Sequence, residues 1–265
     1  MAVLKRRPDA VPWAGGTLIQ TSSDDRNAGR QVSVLDLGGI PELTTVNRSD
    51  RYLELGACVT LATILGLPKN LALEPLREAA GLIGTATVRN LATIGGNIAA
   101  RDSFMTCFSA LACMDAAIEL RDAGGARWLG IHTLIDGDNK PQFPVATLLT
   151  RIRIPTAPWD ATALHRLGQV HRGECYASTF AATARFEKET ISELRLVAAG
   201  RHLVRDRSLE LTLIGKRLPL SAREIESAQA TAHQRARENG FDDRIAVHFG
   251  QYVAAFLASV QEESR

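Results

Sequence analysis

The order of apolar patterns along the chain restricts its fold more than any other feature. Short β-prone runs, a few short helical segments and paired glycines fill the first half, three longer β-prone runs follow, and two capped helices close the chain. Strands gathered before helices are the grammar of an α+β protein; a doubly wound parallel sheet would alternate them. Residues 32–37 form an apolar β-prone run, and 52–59 alternate with Leu53, Leu55 and Ala57 on one face, as in a half-buried strand. Thr60 is placed to cap a short helix over 61–65. Pro75 opens a second helix that runs to Ile83, since proline fits a first helical turn. Residues 103–114 are small and apolar, which predicts a buried helix. Residues 117–121 and 126–131 flank Gly124-Gly125 and read as a β-hairpin, and 147–155 close this half as a strand.

Residues 156–161, with Pro158 and Trp159, read as a linker, which divides the chain into units 1–157 and 158–265. Beyond it, strands are predicted over 164–170, 178–186 and 191–198, with a short strand or turn over 209–215. Ser221 and Glu224 form a capping box that starts a helix ending at Gly240. Asp242 or Asp243 caps a last helix that puts Ile245, Phe249, Val253, Phe256, Leu257 and Val260 on one face.

Composition removes several classes of function. Lys plus Arg number 31 against 29 Asp plus Glu, a net charge of +2, too near neutral for a nucleic-acid or membrane-surface binder. Aromatic residues are only 5%, which leaves few stacking platforms for single strands. No run reaches the roughly 20 apolar residues of a membrane span, and the basic start is followed by Pro8, Asp9 and Pro12 rather than a signal core. Cys58, Cys107, Cys113 and Cys175 make no Cys-x-x-Cys pair, so buried free thiols in a cytoplasmic protein are expected, with no zinc site and no iron–sulfur cluster on this chain. The histidines at 132, 165, 171, 202, 233 and 248 lack ligand spacing, and no Ser/His/Asp or Cys/His constellation is present. No catalytic acid or base is therefore assigned.

Two glycine loops stand apart from this background. The first is Trp13-Ala14-Gly15-Gly16-Thr17-Leu18; the second runs from Val88-Arg89-Asn90-Leu91 through Ala92-Thr93-Ile94-Gly95-Gly96-Asn97 to Ile98-Ala99. Glycine lets backbone approach a ligand and exposes N–H groups to an anion, and Thr17 and Thr93 add hydroxyl donors. Such loops suit the pyrophosphate of a dinucleotide without a lysine. Neither a Gly-x-Gly-x-x-Gly nor a Walker lysine is present, so the two common nucleotide folds do not apply. Taken singly, paired glycines read as turns, as Gly38-Gly39 and Gly124-Gly125 do.

The whole second string resembles the second flavin loop of the FAD-binding subunits of molybdenum hydroxylases, the xanthine dehydrogenase and carbon monoxide dehydrogenase flavoprotein family. Ala14-Gly15-Gly16-Thr17 is similar to the first flavin loop of that family. The order of the remaining segments agrees: Asp36-Leu37 with Ile40-Pro41-Glu42-Leu43, the strand at 53–57, Met114-Asp115-Ala116-Ala117, and the strand ending Ile152-Arg153-Ile154-Pro155. The resemblance implies a VAO/PCMH-type FAD-binding domain followed by a small C-terminal domain of sheet plus helices. It implies that Ala14, Gly15, Gly16, Thr17, Leu18 and Ile19, with Thr93, Ile94, Gly95, Gly96 and Asn97, wrap the FAD pyrophosphate and ribityl chain. Ile83, Leu148 and Leu149 fall at positions on the adenine side. Tyr176, in His171-Arg172-Gly173-Glu174-Cys175-Tyr176-Ala177, falls where the family covers the isoalloxazine ring; read from its residue type alone it is a core tyrosine with one wet edge. Arg166 lies one position from a basic residue of the family near the ring. The chain departs from the family in lacking an aspartate about nine residues after Asn97, with Asp102 too early and Thr106 not a carboxylate, and in a short N-terminus with no helix expected before Trp13.

The function so implied is electron transfer: a substrate oxidised at a molybdopterin centre on one partner, [2Fe–2S] clusters on another, and FAD here passing electrons to NAD+ or another acceptor. Two alternatives share the fold: a self-contained flavin oxidase or reductase, and a non-enzymatic assembly subunit that has lost FAD.

Overall fold

A computed structural model describes residues 1–18, 33–69, 71–99, 106–135, 142–167, 170–171, 174–175, 178–200 and 202–263. A short helix α1 (Ala2–Arg6) precedes the parallel pair β1 (Val11–Trp13) and β2 (Val34–Asp36). The N-terminus thus does supply a helix before the first glycine loop, contrary to expectation. It is anchored by Leu4, which packs with Ala10, Leu37, Leu43, Cys58 and Leu148.

A five-stranded sheet follows, built from β3 (Val46–Arg48), β4 (Tyr52–Gly56), β5 (Ala117–Asp122), β6 (Gly125–Gly130) and β7 (Leu148–Pro155), in the order β3-β4-β7-β5-β6 and antiparallel throughout. Alternation sets its two faces. Leu53, Leu55, Ile118, Leu120, Ile152 and Ile154 enter the core, while Glu54, Arg151 and Arg153 lie between them along the strands. On that outer face Arg153 donates to Glu54 at 2.6 and 2.8 Å, and its guanidinium sits 4.1 Å from the centroid of Trp128 and 5.2 Å from that of Tyr52. The hairpin β5–β6 turns at Gly125, where φ is +131°, a conformation that needs glycine.

Helices α2 (Leu61–Gly66), α3 (Glu74–Gly81), α4 (Ala86–Leu91), α5 (Ile94–Ala99) and α6 (Thr106–Cys113) cover the inner face. Thr60 caps α2 by accepting from Thr63 N at 3.1 Å, and Pro75 lies in the first turn of α3. Every residue of α6 is buried.

The main chain then crosses to a second sheet. The crossing is fastened: Trp159 is buried under the Arg185 guanidinium, 4.0 Å from its ring centroid, and Arg185 donates to Ala157 O and Pro158 O. The second sheet comprises β8 (Ala161–Leu167), β11 (Ser178–Glu187), β12 (Thr190–Ala199) and β13 (Leu203–Arg205), ordered β13-β12-β11-β8 and antiparallel. Between β8 and β11 lies the small pair β9 (Val170–His171) and β10 (Glu174–Cys175). From Ser178 to Ala184 each residue of β11 is buried, because both faces of this sheet are covered. Phe180, Ala182 and Ala184 join the core under the C-terminal helices, whereas Ala181 joins the core that contains α6. Thr179 and Thr183 meet the ends of α6, with Thr179 Oγ1 donating to Thr106 Oγ1 at 3.4 Å and Thr183 Oγ1 donating to Cys113 O at 3.3 Å. The run of small residues in β11 matches a strand pressed from two sides.

Residues 209–215, expected as a strand or turn, belong instead largely to helix α7 (Arg207–Leu213). The alternation Leu209, Leu211, Leu213 was misleading, since Leu211 is 56% exposed. Asp206 starts the helix by accepting from Ser208 N and Leu209 N, and Glu210 is fully buried between Arg205 and Arg207. The capping box forms at α8 (Ala222–Glu238), and α9 (Asp243–Glu263) packs on it, burying Phe249, Val253, Phe256, Leu257 and Val260 as the periodicity requires.

Candidate functional site

The two glycine loops converge because Gly15 has no side chain. A Cβ on Gly15 would lie 1.8 Å from Leu91 O and 2.6 Å from Leu91 C, so the first loop rests on the backbone that leads into the second. Gly16 adopts φ +65° with the Trp13 ring folded against it. The second loop lies along residues 57–61: Leu61 N donates to Ala92 O, Ile94 N to Val59 O, and Gly95 N to Ala57 O, each at 2.8–2.9 Å. A Cβ on Gly95 would meet Ala57 Cβ at 2.7 Å, so this glycine serves close packing of the loop on the sheet edge.

Between the loops opens a cavity of about 810 Å³. Of the residues singled out from sequence, Ala14, Gly15, Gly16, Thr17, Leu18, Ile83, Thr93, Gly95, Gly96, Asn97, Leu148 and Leu149 line it. Ile94 does not: its side chain is fully buried in the core. Ile19 and Tyr176 lie outside the described residues, as does Asp102. The sequence reading missed Leu4, Ala57, Cys58, Gly84, Thr106 and the segment 143–147, all on the wall. Most are apolar residues or exposed loop positions whose types carry no chemical signal. Cys58 is buried, and burial together with the Asp36 carboxylate pushes its thiol above the ordinary range, so it is a wall residue and not a ready nucleophile.

Helix α5 starts at the second loop itself, and this changes how the loop can meet an anion. Gly96 N donates to Thr93 Oγ1 at 3.1 Å and Asn97 N to Thr93 O at 2.9 Å, so the amides of 94–97 are all engaged within the chain. What remains for a ligand is side-chain chemistry. Thr93 Oγ1 accepts from Gly96 and keeps its own proton to donate. Asn97, on the wall, has a buried Oδ1 with no hydrogen-bond partner among the described residues, an arrangement that a ligand donor would relieve. Gly96 is exposed to the cavity; a Cβ there would meet only Thr93 Oγ1, at 2.9 Å. Arg166, from β8 in the second sheet, is the one charged side chain among the described lining residues. Its Nη1 donates to Leu82 O at 2.7 Å. An extended apolar pocket with a few threonine and asparagine contacts and one fixed cation suits a long, flat, partly anionic molecule with hydroxyl donors.

Among the described residues no three His, Cys, Asp or Glu side chains gather as a metal set, and no helix is long and apolar enough to cross a membrane.

Comparison with known proteins places the chain in a family and a fold. The model of a family described as the FAD binding domain in molybdopterin dehydrogenase matches residues 1–157. The carbon monoxide dehydrogenase medium chain of Afipia carboxidovorans is 31% identical over 151 residues, covering 57% of this chain and 52% of that protein. The nicotine 6-hydroxylase medium subunit of Paenarthrobacter nicotinovorans is 26% identical over 170 residues, 63% of this chain and 59% of its own length. The matches thus span little more than half of each of these relatives. A carbon monoxide dehydrogenase structure from Hydrogenophaga pseudoflava, in a form lacking the Mo-pyranopterin moiety of the molybdenum cofactor, superposes with a TM-score of 0.84. It covers 99% of this chain and 93% of that one at 23% identity, a likeness of fold.

Proposed function

The chain belongs to the family of FAD-binding domains of molybdopterin dehydrogenases, and from that premise we propose that it is the FAD-binding, electron-transferring subunit of a multi-subunit molybdenum hydroxylase. The observation that carries the reading is the cavity between two glycine loops, with Asn97 Oδ1 on its wall unpartnered among the described residues. In this reading residues 1–157 supply most of the cofactor wall, and 158–265 form the companion α+β unit.

Bound FAD would exchange electrons between [2Fe–2S] clusters on one partner and NAD+ or another acceptor, while a molybdopterin subunit oxidises the substrate. The chain's own part is binding and placement. Gly15 and Gly16 bring the first loop onto the second. Thr17, Thr93 and Asn97 offer polar contacts to the phosphate and hydroxyl-bearing portion, and Ile19 extends the first of these loops. Ile83, Leu148 and Leu149 give apolar area for a flat ring, and the family resemblance assigns the other ring system to Tyr176, which lies outside the described residues. The apolar walls exclude water, which strengthens each polar contact inside. The names of the two relatives, a medium chain and a medium subunit, support a place among several chains. Cys107 and Cys113, buried as free thiols, are compatible with the reducing cytoplasm.

The test is the isolated chain. Purified alone, it should take up one equivalent of FAD in preference to FMN, carry neither iron nor molybdenum, and fail to oxidise purines or aldehydes. A colourless protein that ignores added FAD, or substrate oxidation without partners, would overturn the reading.

A further inference from the structure

Residues 81–84 form the turn between α3 and α4, and Ile83 and Gly84 of that turn line the cavity. The last carbonyls of a helix have no partner within it and carry partial negative charge, so cations are favoured there. Here two guanidinium groups serve four consecutive carbonyls. Arg89 Nη1 from α4 donates to Gly84 O at 2.6 Å and lies within bonding distance of Ile83 O at 3.2 Å and Gly81 O at 3.4 Å. Arg166 Nη1 takes the remaining one, Leu82 O, at 2.7 Å. Backbone bonds from Leu82 N to Glu78 O and from Ile83 N to Ala80 O begin the turn, Gly84 completes it in the left-handed region at φ +54°, and the two guanidinium groups hold its carbonyl side. Its inner side is functional, since Ile83, Gly84 and Val88 line the cavity.

The two arginines reach the turn from different elements. Arg89 belongs to the string that leads into the second glycine loop, and Arg166 to β8, an edge strand of the second sheet. We propose that Arg89 and Arg166 are paired positioning residues for the cofactor: they clamp the 81–84 turn, so that one wall of the cavity is set by the second glycine loop and by the second sheet at once. This rests on the FAD reading above and extends it, because it makes cofactor affinity depend on how the C-terminal sheet is seated. A charged donor is needed at both places, since a guanidinium bound to exposed carbonyls holds them against competing water more firmly than a neutral amide does.

The experiment uses the full chain and the variants Arg89→Gln, Arg166→Gln and Arg166→Lys. FAD affinity is read by quenching of flavin fluorescence. Hydrogen–deuterium exchange of peptides spanning 81–92 is read in the cofactor-free protein, with the β11–β12 peptides as an internal reference. Both glutamine variants should weaken FAD about tenfold and speed exchange of the 81–92 amides by a similar factor, with the reference peptides unmoved. Arg166→Lys, which keeps a charged donor, should restore both readouts to within about threefold of the parent. Weaker FAD with wild-type exchange in Arg166→Gln would mean that Arg166 meets the ligand directly, and the clamp would be wrong. Unchanged affinity and exchange would also overturn it. If the parent chain takes up no FAD, the cofactor reading falls, while the exchange rates still decide the clamp.

Discussion

Replacing Gly15 with alanine isolates the contact on which the site's assembly depends. Gly15 has no positive φ, so alanine is acceptable to its backbone; the objection is purely steric. The added carbon would sit 1.8 Å from Leu91 O, against about 3.5 Å for unstrained non-bonded atoms. One of the two loops must therefore retreat by about 1.7 Å, on the order of one covalent bond length. Neither can do so freely, because Ala92 O accepts from Leu61 N and Leu37 N donates to Trp13 O, each pinning one loop to its neighbours. Overpacking of this kind costs roughly 1–3 kcal/mol, which for a chain of this size lowers Tm by roughly 2–12 °C. The cofactor site should suffer more than the fold, since the gap opens between the two loops that face the ligand. Thermal melts with and without FAD separate the two effects. Gly39→Ala, where a Cβ would meet nothing within 4 Å and no positive φ is imposed, is the matched control. If Gly15→Ala matched Gly39→Ala in both Tm and FAD affinity, the convergence of the loops would not depend on this contact.

Three further outcomes can be measured. Burial works to raise the Asp115 carboxyl, but the charges and hydrogen bonds of Arg205 and Arg195 outweigh it and hold the group below its ordinary value. Its stabilising contribution is therefore complete above the usual aspartate range and is lost as pH falls through the depressed folded value. Asp115→Asn tolerates the local φ of +51° and should lower stability at neutral pH by about 1 kcal/mol, given the partial exposure of the carboxylate, with a shallower acid limb in urea titrations against pH. Cys107 and Cys113 thiols are pushed up to about 12 by burial, so iodoacetamide at pH 8 should label neither in the folded chain and both after denaturation, as read by peptide mass spectrometry; labelling at native conditions would contradict their placement. Ser221→Ala removes the cap of α8, and the urea midpoint should fall by the equivalent of about 1 kcal/mol.

Legibility from sequence followed the locality of the signal. The capping box at Ser221 and Glu224, the Thr60 cap and the apolar face of α9 are encoded within one or two turns, and all form. The glycine loops were likewise readable, as a string resembling a known family. Helix α7 was not, because Leu209, Leu211 and Leu213 alternate like a strand and outweighed two local helix marks, the Asp206 cap and the Arg207–Glu210 pair three residues apart; Arg205 at the end of β13 completes the partners of the buried Glu210. Helix α5 was missed because two glycines at its start argue for a loop, and tertiary bonds to residues 57–61 override that preference. The cavity walls at Leu4, Cys58 and 143–147 come from distant segments whose residues look like any other apolar or loop position. The Arg166 contact to Leu82 O joins residues 84 apart in sequence and has no local mark at all.

Helix α6 belongs to neither sheet alone. The core that contains six of its eight residues also takes in Leu164, Ala181, Val197, Ala199 and Leu203 from the second sheet, and Thr106, at the start of α6, is both a cavity wall and a partner of Thr179. The family match ends at residue 157, but the polypeptide cannot be cut there without laying bare a helix made for the interior. Its buried face would become an adhesive surface of small apolar side chains. The part that carries both glycine loops is thus not a portable module: any chimaera, swap or shortened version that means to borrow the cofactor cavity has to bring the second sheet with it.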